Sequence, residues 1–118
     1  MRPFPLNGRV PIGGRLHSIV HRERMRDHWC YTLAALNDAQ VRVQLMHAEI
    51  IAHIAAHARY QVDQWVRVGR FRELPITERH WKFQLGITVY HIRMPSSTAH
   101  RRRFAENVLM ELEQAAVR

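Results

Sequence analysis

Apolar residues recur at spacings of three and four over most of this chain, and that pattern predicts helices. From about Ser18, the residues Met25, Trp29, Leu33 and Leu36 form one stripe. Asn37-Asp38 interrupts it, with Asp38 placed as the N-cap of the next element. Ala39 to about Val68 is the strongest helical stretch: it is alanine-rich, lacks Gly and Pro, and puts Val43, Met46, Ile50, Ile54, Ala58 and Trp65 on one broad face. Gly69 supplies the helix stop, with Arg67 near the negative end of the helix dipole. Two helices joined across Asn37-Asp38 predict an antiparallel pair.

The flanks are read differently. Residues 1–16 carry Pro3, Pro5, Pro11, Gly8, Gly13 and Gly14 between Arg2, Arg9 and Arg15, a composition that predicts an extended basic arm. Residues 17–118 are then one helical domain. Residues 76–94 support two readings. As a strand, Trp81, Phe83, Leu85, Ile87 and Val89 alternate with Lys82, Gln84, Gly86, Thr88 and Tyr90. As a helix, Thr77 caps a stripe of Trp81, Leu85, Val89 and Ile92. The stretch Ile76-Thr77-Glu78-Arg79-His80-Trp81 resembles the Leu-Thr-Glu-x-His-Trp segment that opens a helix in the DsrC/TusE sulfur-relay family. The resemblance covers these six residues and implies a helix start. It implies no activity, because that family works through C-terminal cysteines and this C-terminus has none. Pro95 ends the element, and Ser96-Ser97-Thr98 caps a last helix to about Val117, with Phe104, Val108, Leu112 and Ala115 inward. No internal repeat is evident. The expected fold is mainly α, with a long central helix, an extended N-terminal arm and a C-terminal amphipathic helix. The alternative is α+β with a hairpin at about 64–92.

Charge changes the picture more than composition does. The 118 residues hold seventeen Arg and one Lys against ten acidic residues, a formal charge of +8. Such a surface attracts polyanions or an acidic protein face. Guanidinium forks suit phosphate and carboxylate, although a GC-rich phage, plasmid or bacterial gene also encodes Arg freely. Cys30 is the one cysteine, which excludes an intramolecular disulfide. No 18-residue apolar run and no secretory h-region is present, so the expectation is a soluble cytoplasmic protein without membrane association.

Three constellations are candidates for chemistry. His100-Arg101-Arg102-Arg103 near the start of the last helix would oppose the helix dipole, a cost that an anion offsets. His17, His21, Arg24 and His28, flanked by Arg15, Arg22 and Arg26, follow helical spacing and predict a basic face. Glu49, His53 and His57 fall at successive i, i+4 positions, with His47 upstream and His17, His21 or His28 as further donors, a weak metal-site pattern. Amphipathic histidines at the margin of an apolar face account for it equally well, and no cofactor is expected. No nucleophile elbow, glycine-rich phosphate loop or helix-turn-helix spacing is present. The expected function is therefore non-enzymatic: association with nucleic acid by a small regulator or accessory factor. Contacts are assigned to Arg101, Arg102, Arg103, Arg22, Arg24, Arg26, Arg9 and Arg15. The alternative is an inhibitor or adaptor docking its basic surface on an acidic host protein. The apolar face of the long helix makes a homodimer a further expectation.

Overall fold

Trp29, Tyr31, Leu33 and Ala35 alternate with Cys30, Thr32 and Ala34, and this period of two governs the chain in the computed structural model. Residues 2–68, 73–95 and 101–117 are described. Among them are eight strands and two helices: β1 (Arg9–Ile12), β2 (Arg15–Met25), β3 (His28–Ala35), β4 (Asp38–Met46), α1 (His47–His57), β5 (Trp65–Arg67), β6 (Glu73–Lys82), β7 (Ile87–Arg93), β8 (Arg101–Ala105) and α2 (Glu106–Val117). The strands form two four-stranded antiparallel sheets, ordered β1-β2-β3-β4 and β5-β6-β7-β8. No described helix is long and apolar enough to cross a membrane.

The expected mainly α fold is thus overturned, and each error has a local cause. The stripe Met25, Trp29, Leu33, Leu36 crosses a turn in which Arg26 adopts φ 59, so its members belong to different strands and faces. Asn37-Asp38 does interrupt the chain, but Asn37 lies in the turn between β3 and β4 and Asp38 begins β4, so the break is not between two helices. The long helix Ala39–Val68 divides into β4, α1 and β5. Val43 and Leu45 face the core at period two, and the helix begins only after Met46, whose N–H donates to Glu49 Oε1 at 3.0 Å. Residues 76–81, read as a helix start, lie in β6. Gly86, at φ 69, lies between β6 and β7; from Thr88 on, Tyr90 and Ile92 are the buried positions. The C-terminal helix starts only at Glu106, because Arg101–Ala105 is strand. The alternative with one hairpin at 64–92 also falls short, since that segment supplies three strands of one sheet while residues 9–46 form another. The expected stop at Gly69 and caps at Ser96-Ser97-Thr98 lie outside the described residues.

Two compact units divide the chain: Met1–Ala58 with Phe83–Gly86, and Arg59–Lys82 with Ile87–Arg118. Each has its own core. In the first, Val10, Ile19, Tyr31, Leu33 and Ile50 are buried, with Phe4, Trp29, Val43 and Phe83 packed against them. In the second, Tyr60, Val66, Ile76, Tyr90, Ile92, Phe104 and Leu109 are buried.

The two units share one plan, four strands and then a helix, down to individual hydrogen bonds. In the first, Asn7 at φ 66 is the third residue of a tight turn closed from Gly8 N–H to Pro5 O, and Asn7 N–H donates to Ile19 O at 2.8 Å. In the second, Asp63 at φ 70 is the third residue of a turn closed from Gln64 N–H to Gln61 O, and Asp63 N–H donates to Ile76 O at 2.8 Å. Asn and Asp are the non-glycine residues that best tolerate that left-handed backbone. Register shifts follow at the same place, between Ile19 and His21 and between Ile76 and Glu78.

A tyrosine closes each unit. Tyr31 hydroxyl accepts from Phe4 N–H (3.1 Å) and bonds His47 Nδ1 (2.8 Å), the first residue of α1. Tyr90 hydroxyl accepts from Tyr60 N–H (3.2 Å) and donates to Glu106 Oε2 (2.7 Å), the first residue of α2. An arginine completes each set, with Arg22 Nη1 donating to Phe4 O and Arg79 Nη1 to Tyr60 O. Burial and the Glu106 carboxylate push the Tyr90 hydroxyl far above its ordinary value, and burial together with the Glu113 carboxylate pushes Tyr60 up to about 12. Phe4 stacks on the His47 ring, with centroids 3.9 Å apart. Burial accordingly lowers the His47 pKa below 6.5.

Two outcomes follow from this wiring. Tyr90→Phe strips Tyr60 N–H and the Glu106 carboxylate of a shared partner and should destabilise the protein by about 1–3 kcal/mol in urea unfolding. With the His47 pKa depressed on folding, the unfolded chain takes up that proton first. The contribution is intact above about pH 6.5 and is lost as pH falls from there through the lower folded-state pKa. Urea midpoints should therefore fall between pH 7.5 and 5, and His47→Asn, which cannot titrate, should show a shallower fall.

Candidate functional site

Antiparallel pairing places directly opposite residues on one face, so the registers sort every charge by face. In the second sheet the inner face carries Ile76, Arg79, Tyr90, Ile92 and Phe104. The outer face carries Arg67 of β5 across from Glu73 of β6, then Glu78, His80 and Lys82 of β6, Val89, His91 and Arg93 of β7, and Arg103 of β8. Arg101 stands directly across from Arg93, and Arg103 directly across from His91. Along a strand such same-face residues lie about 6.7 Å apart, and across strands about 4.8 Å. Like charges directly opposite one another destabilise a strand pair. This face nevertheless carries Lys82, Arg93 and Arg103, with Arg101 in register with Arg93, and its acids are Glu78 and, across from Arg67, Glu73.

Glu78 sits between two imidazoles. His80 Nε2 lies 3.0 Å and His91 Nδ1 3.5 Å from Glu78 Oε2, and the two rings are 5.0 Å apart. Among the described residues this is the one group of three donors whose ligand atoms all lie within 4.8 Å of one another. His91 is largely covered, with 14% of its side chain exposed, whereas His80 and Glu78 are about half open to solvent.

In the first sheet the matching positions are held by His21, Glu23 and Thr32, with His21 directly across from Thr32 as Glu78 is from His91. They line a cavity of 270 Å³ together with Cys30, Gln44 and Met46.

The predicted contact residues separate on this map. Arg103 lies on the outer face of the second sheet, and Arg101 is in register with Arg93. Arg102 takes the inner side, its guanidinium 5.2 Å from the Phe104 ring centroid. These three are strand residues, so no helix dipole opposes them. Arg22 is committed to the Phe4 carbonyl at 2.8 Å, Arg24 stands across from Trp29, and Arg26 occupies the left-handed turn. The expected stripe His17, His21, Arg24, His28 therefore does not exist as one face. His17 is buried and bonds the Arg15 carbonyl, while His21 and His28 lie on the outer face. Arg9 stands across from Ser18 on the outer face of the first sheet, and Arg15 begins β2 across from Ile12. Glu49, His53 and His57 do share α1, but Glu49 caps the helix and the three do not converge.

Sequence reading missed Arg93, His91, Glu78 and His80 as site residues. Their signal is the alternation Val89-x-His91-x-Arg93, which a helical period scatters around an axis. If Arg22 is structural, Arg22→Ala should lower stability by about 1 kcal/mol in urea unfolding, while Arg24→Ala on the neighbouring exposed position should leave it unchanged.

Comparison with protein-family models, with curated proteins and with solved structures finds no match, so a functional assignment rests on this geometry.

Proposed function

We propose that the chain is a nucleic-acid-associating protein whose contact surface is the outer face of the second sheet. The observation that carries this reading is the cross-strand pairing of Arg93 with Arg101, extended by Arg103 and Lys82 on the same face. Self-repelling cations cost stability in the free protein, and a polyanion laid along the face relieves the cost. Phosphate contacts by these residues act through counterion release and carry little base information. The helix lies against the inner side of the sheet, since Leu109 of α2 belongs to the core with Tyr90 and Ile92. The role in a phage- or plasmid-type regulator, and action without catalysis, belong to the same proposal.

Binding of a non-specific 20-base-pair duplex should be measurable at 50 mM salt. With four cations engaged, affinity should drop about a hundredfold by 200 mM. Arg93→Ala/Arg101→Ala/Arg103→Ala should lower the slope of log affinity against log salt by nearly three, with an unchanged circular dichroism spectrum. Arg24→Ala/Arg26→Ala should leave the slope as it is. Absence of binding at 50 mM removes the proposal. A single acidic protein co-purifying in nuclease-treated extract, lost in the triple variant, moves the surface to the protein-docking alternative.

A further inference from the structure

We infer that Glu78, His80 and His91 form a binding site for a divalent transition-metal ion of the zinc class. The inference stands apart from the nucleic-acid reading, because it concerns three residues whose geometry is defined without any polyanion.

Strand geometry builds the site. Glu78 and His80 are two apart on β6 and so project from the same face, while His91 on β7 lies directly opposite Glu78. The register shift between Ile76 and Glu78 makes this possible. Ahead of it, Ile76 pairs with Ile92 on the inner face; beyond it, the parity inverts and Glu78 meets His91 on the outer one.

Distances fit the ion. Bonds of about 2.0–2.2 Å to imidazole nitrogen and carboxylate oxygen in a tetrahedral shell place donor atoms about 3.3 Å apart. The Glu78 oxygen lies 3.0 Å from His80 Nε2 and 3.5 Å from His91 Nδ1, and all three ligand atoms fall within 4.8 Å. Half-exposed His80 supplies the remaining adjustment by side-chain rotation. Two imidazoles and one carboxylate select zinc, cobalt or nickel over magnesium or calcium, which take all-oxygen shells. Three protein ligands leave a fourth position open to solvent, for water or an anion. Arg103, across from His91, opposes the cation but favours an anionic fourth ligand.

The test uses full-length protein stripped with a chelator and without nucleic acid. Zinc titrated in competition with a chromogenic chelator should bind at one ion per chain, and cobalt should give the visible absorption of a four-coordinate site. His80→Ala and Glu78→Gln should each weaken zinc binding at least tenfold with an unchanged thermal melt of the stripped protein. His57→Ala should bind as the parent does. Lack of one-to-one binding at 100 μM zinc, or parent-like affinity in His80→Ala, overturns the inference. His80→Ala carries the test if Glu78→Gln fails to fold, because His80 is half in solvent.

Discussion

A buried tyrosine hydroxyl has one proton to give and one place to receive, and in each unit both are assigned. Tyr31 and Tyr90 each take a backbone N–H from the segment leading into their unit and bond the first residue of the helix that ends it. Two parts of the unit that are distant in sequence are thereby fixed to the middle of a strand. The core around each is small, as expected for units of this length, so satisfied polar anchors count for more than they would in a larger domain. The arginine bonds from Arg22 and Arg79 to the Phe4 and Tyr60 carbonyls secure the other side of the same peptide segments.

With helix and leading segment held on the inner side, the outer side is where the units diverge. Positions that carry the wiring agree: Phe4 with Tyr60, Ile19 with Ile76, Arg22 with Arg79, Tyr31 with Tyr90, Ile50 with Leu109. Positions that look outward do not. Glu78, His80 and His91 stand where the first unit has His21, Glu23 and Thr32, and Arg103 stands where it has Gln44. A common scaffold with dissimilar outer faces concentrates the chemical differences between the units on those faces, beside the exchange of His47 for Glu106 at the tyrosine.

Legibility in the sequence followed the same division. The cationic excess was readable from composition, and the break at Asn37-Asp38 was readable from turn chemistry. The helical character of residues 47–57 was also readable, but the period around it was not, because the four-residue spacing of Ala39 and Val43 satisfies both a helix stripe and an alternating strand. Faces were beyond reach for a deeper reason. A one-residue slip reverses every side chain of a strand, and the shifts after Ile19 and Ile76 are set by the partner strands and not by local preference. Hence Arg102 and Arg103 look like one cluster in sequence yet lie on two faces, while Arg93 and Arg101 look unrelated and are in register with each other. The repeat left a short trace, Phe4-x-Leu6-Asn7-x-x-Val10-x-Ile12 against Tyr60-x-Val62-Asp63-x-x-Val66-x-Val68. Each match is conservative, so the trace becomes evident only once hydrogen bonds align it.

Glu78 is the acid set between His80 and His91 on the outer face of the second sheet, and its place there bears on how that face works. Between the two imidazoles its carboxylate places a negative charge among the Lys82, Arg93, Arg101 and Arg103 positions. A divalent ion at the same spot would turn the local charge from one negative to one positive. Cross-strand neighbours about 5–7 Å away lie within a Debye length of about 8 Å at physiological ionic strength, so phosphates held by Arg93 or Arg103 would sense that reversal. Linkage then requires the effect to run both ways: an ion that strengthens polyanion binding is itself bound more tightly when the polyanion is present. On this argument Glu78 is no defect in a basic face, because it provides the negative charge that would let a cation enter where four others already stand.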